Sequence, residues 1–443
     1  MEEGQMMFRS ILAQSPPVRF REALFRGIAP DGSLYRPETI PVLPSLSAFF
    51  GSARSLPEVA ARVLGMYIDD VPPKELERMA AQAFSFPIPL VRISDDVFLL
   101  ELFHGPTLAF KDVGARFMAV ALSYFLEREQ REMTIAVATS GDTGSAVAHG
   151  FFNLPHVSVF VLYPSGKISR LQEQQMTTLG GNIHAVEVEG TFDDCQRLLK
   201  LALADKDLVE QRNLTTANSI NLGRLLPQVT YYLWGAILLH EHFGVPLRAE
   251  RGAFVAVPSG NFGNLTAAAY AKHMGAPISG FISASNANEV VPEYFRTGVF
   301  RPRTSLETLS NAMDVGNPSN FVRLQSLYAN DLRKMQNDIR AFSITDEETL
   351  GEMARTYQEA GVVLDPHTAV AVAAARKATS TRQTGSSTIV VATAHPAKFP
   401  EIVSRALNIS IPLPQQLQEA LHRPKQSTRI PAEYTEVRRL LLS

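Results

Sequence analysis

From about residue 93 onward, short apolar runs rich in β-branched residues alternate with longer stretches whose apolar positions recur at helical spacing. That alternation predicts an α/β fold in which mostly parallel strands carry helices on both faces. Strands are expected at 97–102, 134–139, 157–163, 183–188, 254–258, 281–285 and 388–393. Helices are expected at 110–129, 169–179, 193–204, 222–242, 264–273, 346–359 and 366–379. The first 92 residues read differently. Prolines gather at Pro16, Pro17 and across 37–44, and the helical patterns at 56–66 and 73–83 have no strand between them, which predicts an N-terminal helical section over 1–92. Residues 412–443, rich in Gln, Arg and Pro, are expected to run over the surface as a tail. The rest divides into a large unit from 93–130 and 236–443 and a small one inserted at 131–235, with the ligand between them.

A chain of 443 residues with 45% apolar and 19% charged side chains can bury a substantial core. Its 42 basic and 44 acidic residues leave a net charge of -2, so no global field draws nucleic acid or an anionic membrane. Any anionic ligand has to be held locally. The single cysteine, Cys195, excludes an internal disulfide and a cysteine-based metal cluster, and fits a reducing, cytoplasmic compartment. The opening MEEGQMMFRS lacks the apolar core of a secretory signal, and the apolar stretches 231–239 and 388–394 are too short to span a bilayer. No metal-site spacing is present, and Cys195 reads as apolar filler within a helix.

Two segments share one layout: TIAVATSGDTGSAVAHGF over 134–151 and AFVAVPSGNFGNLTAAAYA over 253–271. Each is an apolar strand, a Ser-Gly-Asx-x-Gly turn and a helix of small residues. A glycine-rich turn at a helix start collects free N–H groups and the positive end of the helix dipole, so each suits an anion, and each also suits an ordinary capped strand-to-helix turn. Their repetition favours two anions. Between them in character, HGPTLAFKDVGARF over 104–117 places Lys111 among Leu108, Ala109, Phe110 and Val113 at a helix start. Desolvation and the helix dipole there should lower the lysine pKa and free the amine as a nucleophile, although a snorkelling lysine fits the same pattern.

A lysine imine to pyridoxal phosphate needs a phosphate cradle, a partner for the ring nitrogen and a second anion site for a substrate carboxylate. The turn Ser259, Gly260, Asn261, Phe262, Gly263, Asn264 can supply the first, and Thr393, ending the strand TIVVAT, the second. Ser140, Gly141, Asp142, Thr143 and Gly144 can supply the third.

Taken together, HGPTLAFKD, ATSGDTG, YPSGKIS, NSIN with Arg224, VPSGNFGN, LSNAMDVGNPSN, DPHTAVA and ATAHPAKF resemble the threonine synthases of bacterial and fungal type, in order and from roughly residue 70 to 410. The resemblance implies a fold-type II pyridoxal-phosphate enzyme, tryptophan synthase β-like, with two open, twisted, mostly parallel sheets. It implies the conversion of O-phospho-L-homoserine and water into L-threonine and phosphate, the last step of threonine biosynthesis. By the same resemblance Lys111 is the Schiff-base lysine and the acid and base at Cα and Cβ. Gly260, Asn261, Phe262, Gly263 and Asn264 hold the cofactor phosphate, and Thr393 faces the ring nitrogen. Asn218, Ser219 and Arg224 form the substrate-phosphate site, with Lys167 as a further contact; an amide, a hydroxyl and a guanidinium suit a tetrahedral oxyanion. A monomer or weak homodimer is implied.

Three other readings are compatible with parts of this pattern. A related phospholyase would release 2-oxobutyrate and ammonia with the phosphate, and a dehydratase or β-replacing enzyme of the same fold would lack a use for Arg224. A non-catalytic phosphometabolite-binding protein would need no reactive lysine. No dinucleotide or P-loop glycine fingerprint opens any strand-helix unit. His104 and His395 read as structural histidines at strand ends, and Asp365-Pro366-His367 as a helix start with Asp365 as N-cap.

Overall fold

The computed structural model of the chain describes residues 5–44, 46, 49, 51, 55–246, 252–379 and 386–443. In chain order its strands are Phe8–Ser10 (β1), Tyr35–Pro37 (β2), Leu90–Arg92 (β3), Val97–Glu101 (β4), Met133–Ala138 (β5), Val157–Pro164 (β6) and Ile183–Glu189 (β7). They continue as Leu214–Thr216 (β8), Ala253–Pro258 (β9), Ile278–Ser285 (β10), Ile339–Ser343 (β11), Thr388–Ala392 (β12) and Thr428–Pro431 (β13). A six-stranded sheet has the order β11-β10-β9-β12-β4-β3, parallel except at its edge, where β3 runs antiparallel to β4. A five-stranded sheet has the order β13-β7-β6-β5-β8, and all its pairings are parallel.

The two open parallel sheets are those the sequence predicts, and the reason is visible in burial. All six residues of β5, MTIAVA, are buried, as a parallel strand covered on both faces requires. The helices Lys111–Glu129 and Pro227–Phe243 are apolar on most sides and lie in the main core, which runs continuously from Phe20 and Val59 in the N-terminal section to Val137 and Val257 in the sheets. A second cluster, with Leu99, Ile282 and Val390, covers the other face of the larger sheet, and a third, with Leu162, Cys195 and Ile430, that of the smaller one.

Three expectations are modified. The helix expected over 222–242 is two, Leu222–Leu225 and Pro227–Phe243, because Pro227 lacks the N–H that would continue the first and starts the second. The N-terminal section contains, besides helices, the antiparallel pair β1–β2. The segment expected as a surface tail folds into helix Gln415–His422, strand β13 and helix Tyr434–Leu442. β13 adds to β7 as an edge of the smaller sheet, with Ile430 opposite Val188.

Parallel strands in such sheets present their carboxyl ends to one side, where ligands bind. Beyond the ends of β4, β5, β8, β9 and β12 lie the segments carrying Lys111, Ser140, Ser219, Asn261 and Thr393 respectively. A small apolar cluster of Leu108, Leu171, Ala397 and Leu417 ties four of the surrounding segments together.

Candidate active site

These segments enclose a cavity of about 400 Å³ between the two sheets. Lys111, Ser140, Asp142, Thr143, Asn218, Ser219, Arg224, all of 260–264, and Thr393 line it. Among the sequence-predicted site residues Gly141, Gly144 and Ser259 stand behind the wall. Gly141 is held there by its backbone. Its φ of 135° lies outside the range that L side chains adopt readily, and a Cβ there would come within 2.5 Å of Gln172. Lys167, the expected further phosphate contact, is exposed on its loop and does not line the cavity.

Lys111 opens its helix directly after the left-handed turn at Leu108. The segment before it is zipped to the extension of β12: Phe110 N–H donates to Thr393 O at 2.8 Å, and His395 N–H to Leu108 O at 3.0 Å. Among the described residues the Lys111 amine has no hydrogen bond or ion pair, its nearest ring contact being Phe110 at 5.7 Å. Burial lowers its pKa to about 8; the Asp142 carboxylate opposes that shift, while Lys398 and Arg224 reinforce it. A lysine poised near neutrality meets the requirement that a nucleophile and proton carrier sets.

The turn after β9 fits a phosphate. Phe262 sits at φ 61°, a left-handed conformation that costs an L-residue on the order of 1–3 kcal/mol and turns the backbone into the helix Gly263–His273. The first-turn N–H groups of a helix have no acceptor within it, and here they begin at the cavity wall. Gly260 is packed so closely that a Cβ would lie 2.7 Å from Met313 Cα. Asn261 spends its amide on Ser219 Oγ (2.6 Å) and on the N–H of Ser319 (2.6 Å), which fixes the loop. Asn264 Oδ1 accepts from the Tyr231 and Tyr232 hydroxyls, while its Nδ2 is buried with no partner. An orphaned buried donor beside a row of helix N–H groups is what a bound anion would complete. At Thr393, buried to 5% exposure, the N–H donates to Thr368 Oγ1 (3.2 Å), and the side-chain hydroxyl has no hydrogen-bond partner among the described residues. These residues therefore fit pyridoxal phosphate: a phosphate cradle, a hydroxyl facing the cavity and a lysine of lowered pKa.

The turn after β5 is arranged for a second anion. Thr139 Oγ1 accepts from Gly141 N (2.9 Å) and Gly144 N (2.8 Å), so the groups left to a ligand are the Ser140 and Thr143 hydroxyls and the intervening N–H groups. Asp142 is not one of the donors. Its carboxylate accepts from Gln172 Nε2 (3.0 Å) and pairs with Lys398 Nζ at 2.7 Å, and despite the cost of burial these two lysines, Lys398 and Lys111, hold its pKa well below the usual range.

On the third side lies Arg224, 3% exposed. Its Nη1 donates to Ala217 O at 2.5 Å, its Nε is buried without a partner, and burial lowers its pKa only to about 10, so it stays charged. Ser219 Oγ stands beside it as acceptor for Asn261 and Asn320 (3.3 Å). Asn218 lines the cavity, yet its amide brackets Ala138, donating to the carbonyl (3.0 Å) and accepting from the N–H (3.2 Å). It joins β5 to the segment after β8.

Sequence reasoning passed over Lys398 and Gln172. Lys398 stands inside the quoted run ATAHPAKF, and the signal was a lysine two residues after a proline in an otherwise apolar turn. It is completely buried. Gln172 doubles as the closing residue of the Ser169 capping box. The histidines have local partners: His104 pairs with Glu101 (2.7 Å), His395 Nδ1 accepts from Ala397 N (3.1 Å), and His367 also lines the cavity. His367 accepts at Nε2 from Ala312 N (3.2 Å), so its proton is on Nδ1, toward Asp365 (2.8 Å). Cys195 is buried and free, with burial pushing its thiol up to about 12. No group of acidic, His or Cys side chains among the described residues could hold a metal, and no described helix is long and apolar enough to cross a membrane.

Three family descriptions match the chain: "Pyridoxal-phosphate dependent enzyme" over 85–394, "Threonine synthase N terminus" over 7–84 and "Threonine synthase, C-terminal" over 368–441. The chain is 42% identical to the threonine synthase of Haemophilus influenzae over 426 residues, covering 96% of this chain and 97% of that one. It is 40% identical to that of Escherichia coli, with 96% and 97% covered. Among solved structures, the Escherichia coli threonine synthase superposes with a TM-score of 0.90 at 39% identity, and the pyridoxal-phosphate-bound threonine synthase of Brucella melitensis with 0.91 at 34%, each covering 99% of both chains.

Proposed function

The chain belongs to the threonine synthase family of pyridoxal-phosphate-dependent lyases, and from that premise we infer that its Lys111 cavity converts O-phospho-L-homoserine and water into L-threonine and phosphate. The observation that carries the reading is the convergence, on the lining of one cavity, of Lys111, the turn at 260–264, the turn at 140–143 and Arg224.

In this reading Gly260, Asn261, Phe262, Gly263 and Asn264 hold the cofactor phosphate, Thr393 the ring nitrogen, and Lys111 the aldehyde carbon. The bound cofactor supplies an electron sink that acidifies the substrate's Cα and Cβ protons. Lys111, tethered beside both carbons and poised near neutrality, takes and returns those protons. Ser140 and Thr143, with the N–H groups at the helix start, orient the substrate carboxylate; Gly141 shapes that turn and Asp142 anchors it. Arg224 and Ser219 hold the phosphate at Cγ and stabilise its departure, and Asn218 fixes the strand end beside them. Arg224 on the cavity wall suits a substrate that bears a phosphate.

We read the chain as a helical section over 1–92, a large unit over 93–130 and 236–443 and an inserted unit over 131–235, although β3 (Leu90–Arg92) joins the larger sheet and β13 (Thr428–Pro431) the smaller one. Approach of the sheets on substrate binding would expel water until it is needed at Cβ. The buried free thiol of Cys195 is in keeping with a cytoplasmic setting, and we read the working form as a monomer or weak homodimer.

Incubating the cofactor-loaded protein with O-phospho-L-homoserine and measuring threonine, 2-oxobutyrate and phosphate together tests this reading. Threonine equal to phosphate is expected. Phosphate matched by 2-oxobutyrate would instead make the chain a phospholyase on the same site.

A further inference from the structure

Among the described residues Lys398 is a wholly buried lysine whose charge the reaction described above leaves unused. It lies in the turn after β12, in the 3-10 segment Pro396–Lys398, and reaches across to the smaller sheet's Asp142 at 2.7 Å. Its second bond, to Thr107 O at 2.9 Å, attaches it to the segment leading into Lys111. Thr107 also accepts from Gln175 Nε2 (3.2 Å), and its own N–H and Oγ1 donate to Asp112, both at 2.8 Å. One ammonium group thus joins the β12 turn, the Lys111 segment and the turn of the second anion site, among buried residues.

We propose that Lys398 is a positioning residue of the reaction: it draws the Asp142 carboxylate away from Lys111 and pins the turn that Asp142 opens, so that Lys111 faces the cavity without a counter-ion. This rests on Lys111 being the lysine that carries the cofactor. The charges that face Lys111 are Asp142 on the turn after β5, Lys398 on the turn after β12 and Arg224 on the helix after β8. Lys398 in turn faces Asp142, Asp112, His149 and His395. Asp142 is the only one of Lys111's charged neighbours that would favour its ammonium form, and the ion pair with Lys398 takes it up. Without Lys398, Asp142 would turn to the nearest remaining cation, which is Lys111, and an ammonium held by a carboxylate is neither nucleophile nor base. Gln172, bonded to the same carboxylate oxygen, holds Asp142 in place from the helix Arg170–Thr177.

The test follows the titration of Lys111 itself. In the cofactor-free protein, the rate at which acetic anhydride labels Lys111 is read by peptide mass spectrometry from pH 6 to about pH 11. Lys398→Met should move the midpoint up by roughly one unit. Asp142→Asn should move it down, because Asp142 acts on Lys111 more strongly than Lys398 does. Lys398→Arg should restore the wild-type midpoint. A midpoint unchanged in Lys398→Met, or moved in the same direction by both variants, would overturn the proposal, and if Lys398→Met fails to fold, an unmoved or raised midpoint in Asp142→Asn does so alone. A merely structural lysine would leave these opposite shifts absent. Borohydride reduction of the cofactor-loaded wild type separates the two readings: a tag on any lysine other than Lys111 removes the premise, whereas a tag on Lys111 with no shift removes only the role of Lys398.

Discussion

Phe110 N–H donates to Thr393 O at 2.8 Å, and this one backbone bond sets the distance between the lysine that follows Phe110 and the hydroxyl of Thr393. The antiparallel bridge between Ala109 and Ala394 reinforces it. In the proposed function the groups that would meet the cofactor's aldehyde and ring nitrogen are therefore fixed on adjacent backbones of the larger sheet.

Lys111→Ala is expected to fold, since its amine makes no bond that holds other groups, and to lose cofactor absorbance and all turnover. Far-ultraviolet circular dichroism and the visible spectrum after dialysis with pyridoxal phosphate check this together. Retained colour that borohydride fixes to the chain would contradict it.

The cofactor-free protein should also show Lys111 in its stability. Its pKa of about 8 in the folded state lies below the ordinary value of 10.5, so between these pH values the unfolded chain binds more protons and stability rises with pH. Below pH 8 the buried ammonium is a cost on the order of 3 kcal/mol. Urea midpoints of wild type and Lys111→Met should converge as pH climbs from about 7.5 to 10.5, with the variant the more stable at the lower end.

Arg224→Gln removes a buried guanidinium with an unpartnered Nε. Charge-assisted hydrogen bonds of about 1.5–3 kcal/mol correspond to a roughly 10- to 100-fold loss in kcat/KM for the phosphorylated substrate. The cofactor spectrum should be unchanged, and Arg224→Lys should recover part of the loss. Steady-state kinetics with absorbance as control decide it.

Gly260→Ala drives a methyl group to 2.7 Å from Met313 Cα, a backbone atom that has no rotamer to yield. Overpacking of this kind costs roughly 1–3 kcal/mol, and it displaces the loop carrying Asn261. The expected result is weaker cofactor retention, measured by fluorescence titration of the cofactor-free protein, with a modest fall in melting temperature.

Most of the cavity was legible because its residues sit in short contiguous motifs at strand ends, where chain order alone brings a turn to the sheet edge. Lys111, Thr393 and the 260–264 loop are of this kind. Asn218 was legible as a neighbour but not in its duty, since only the folded pairing of β5 with β8 sets its amide against Ala138. Lys398 was not legible because its partner, Asp142, belongs to the other sheet, and nothing local in sequence says that a lysine 256 positions from an aspartate will reach it; Gln172 was not legible because only the folded packing of its helix against the turn after β5 brings its amide to Asp142. The β13 strand escaped for a different reason, since its four residues TRIP bury only Ile430 and give no period to read.

Ile430→Ala should cost about 2 kcal/mol or more, because Ile430 is 3% exposed and packs in the cluster of the smaller sheet. Limited proteolysis should then cut preferentially after residue 420 and within 183–216, leaving the larger sheet intact. Uniform cleavage along the whole chain would show instead that the sheets unfold together.

That strand has a further consequence in the order of synthesis. Four strands of the smaller sheet come from residues 133–216, and the fifth from 428–431. On the ribosome the sheet that carries Ser140 and Asp142 emerges early, yet keeps an unpaired edge along β7 until more than 430 residues have been made. A chain that stalls in the second half of its translation therefore displays an open β-edge to chaperones and proteases, and the final strand both finishes the sheet and withdraws that signal.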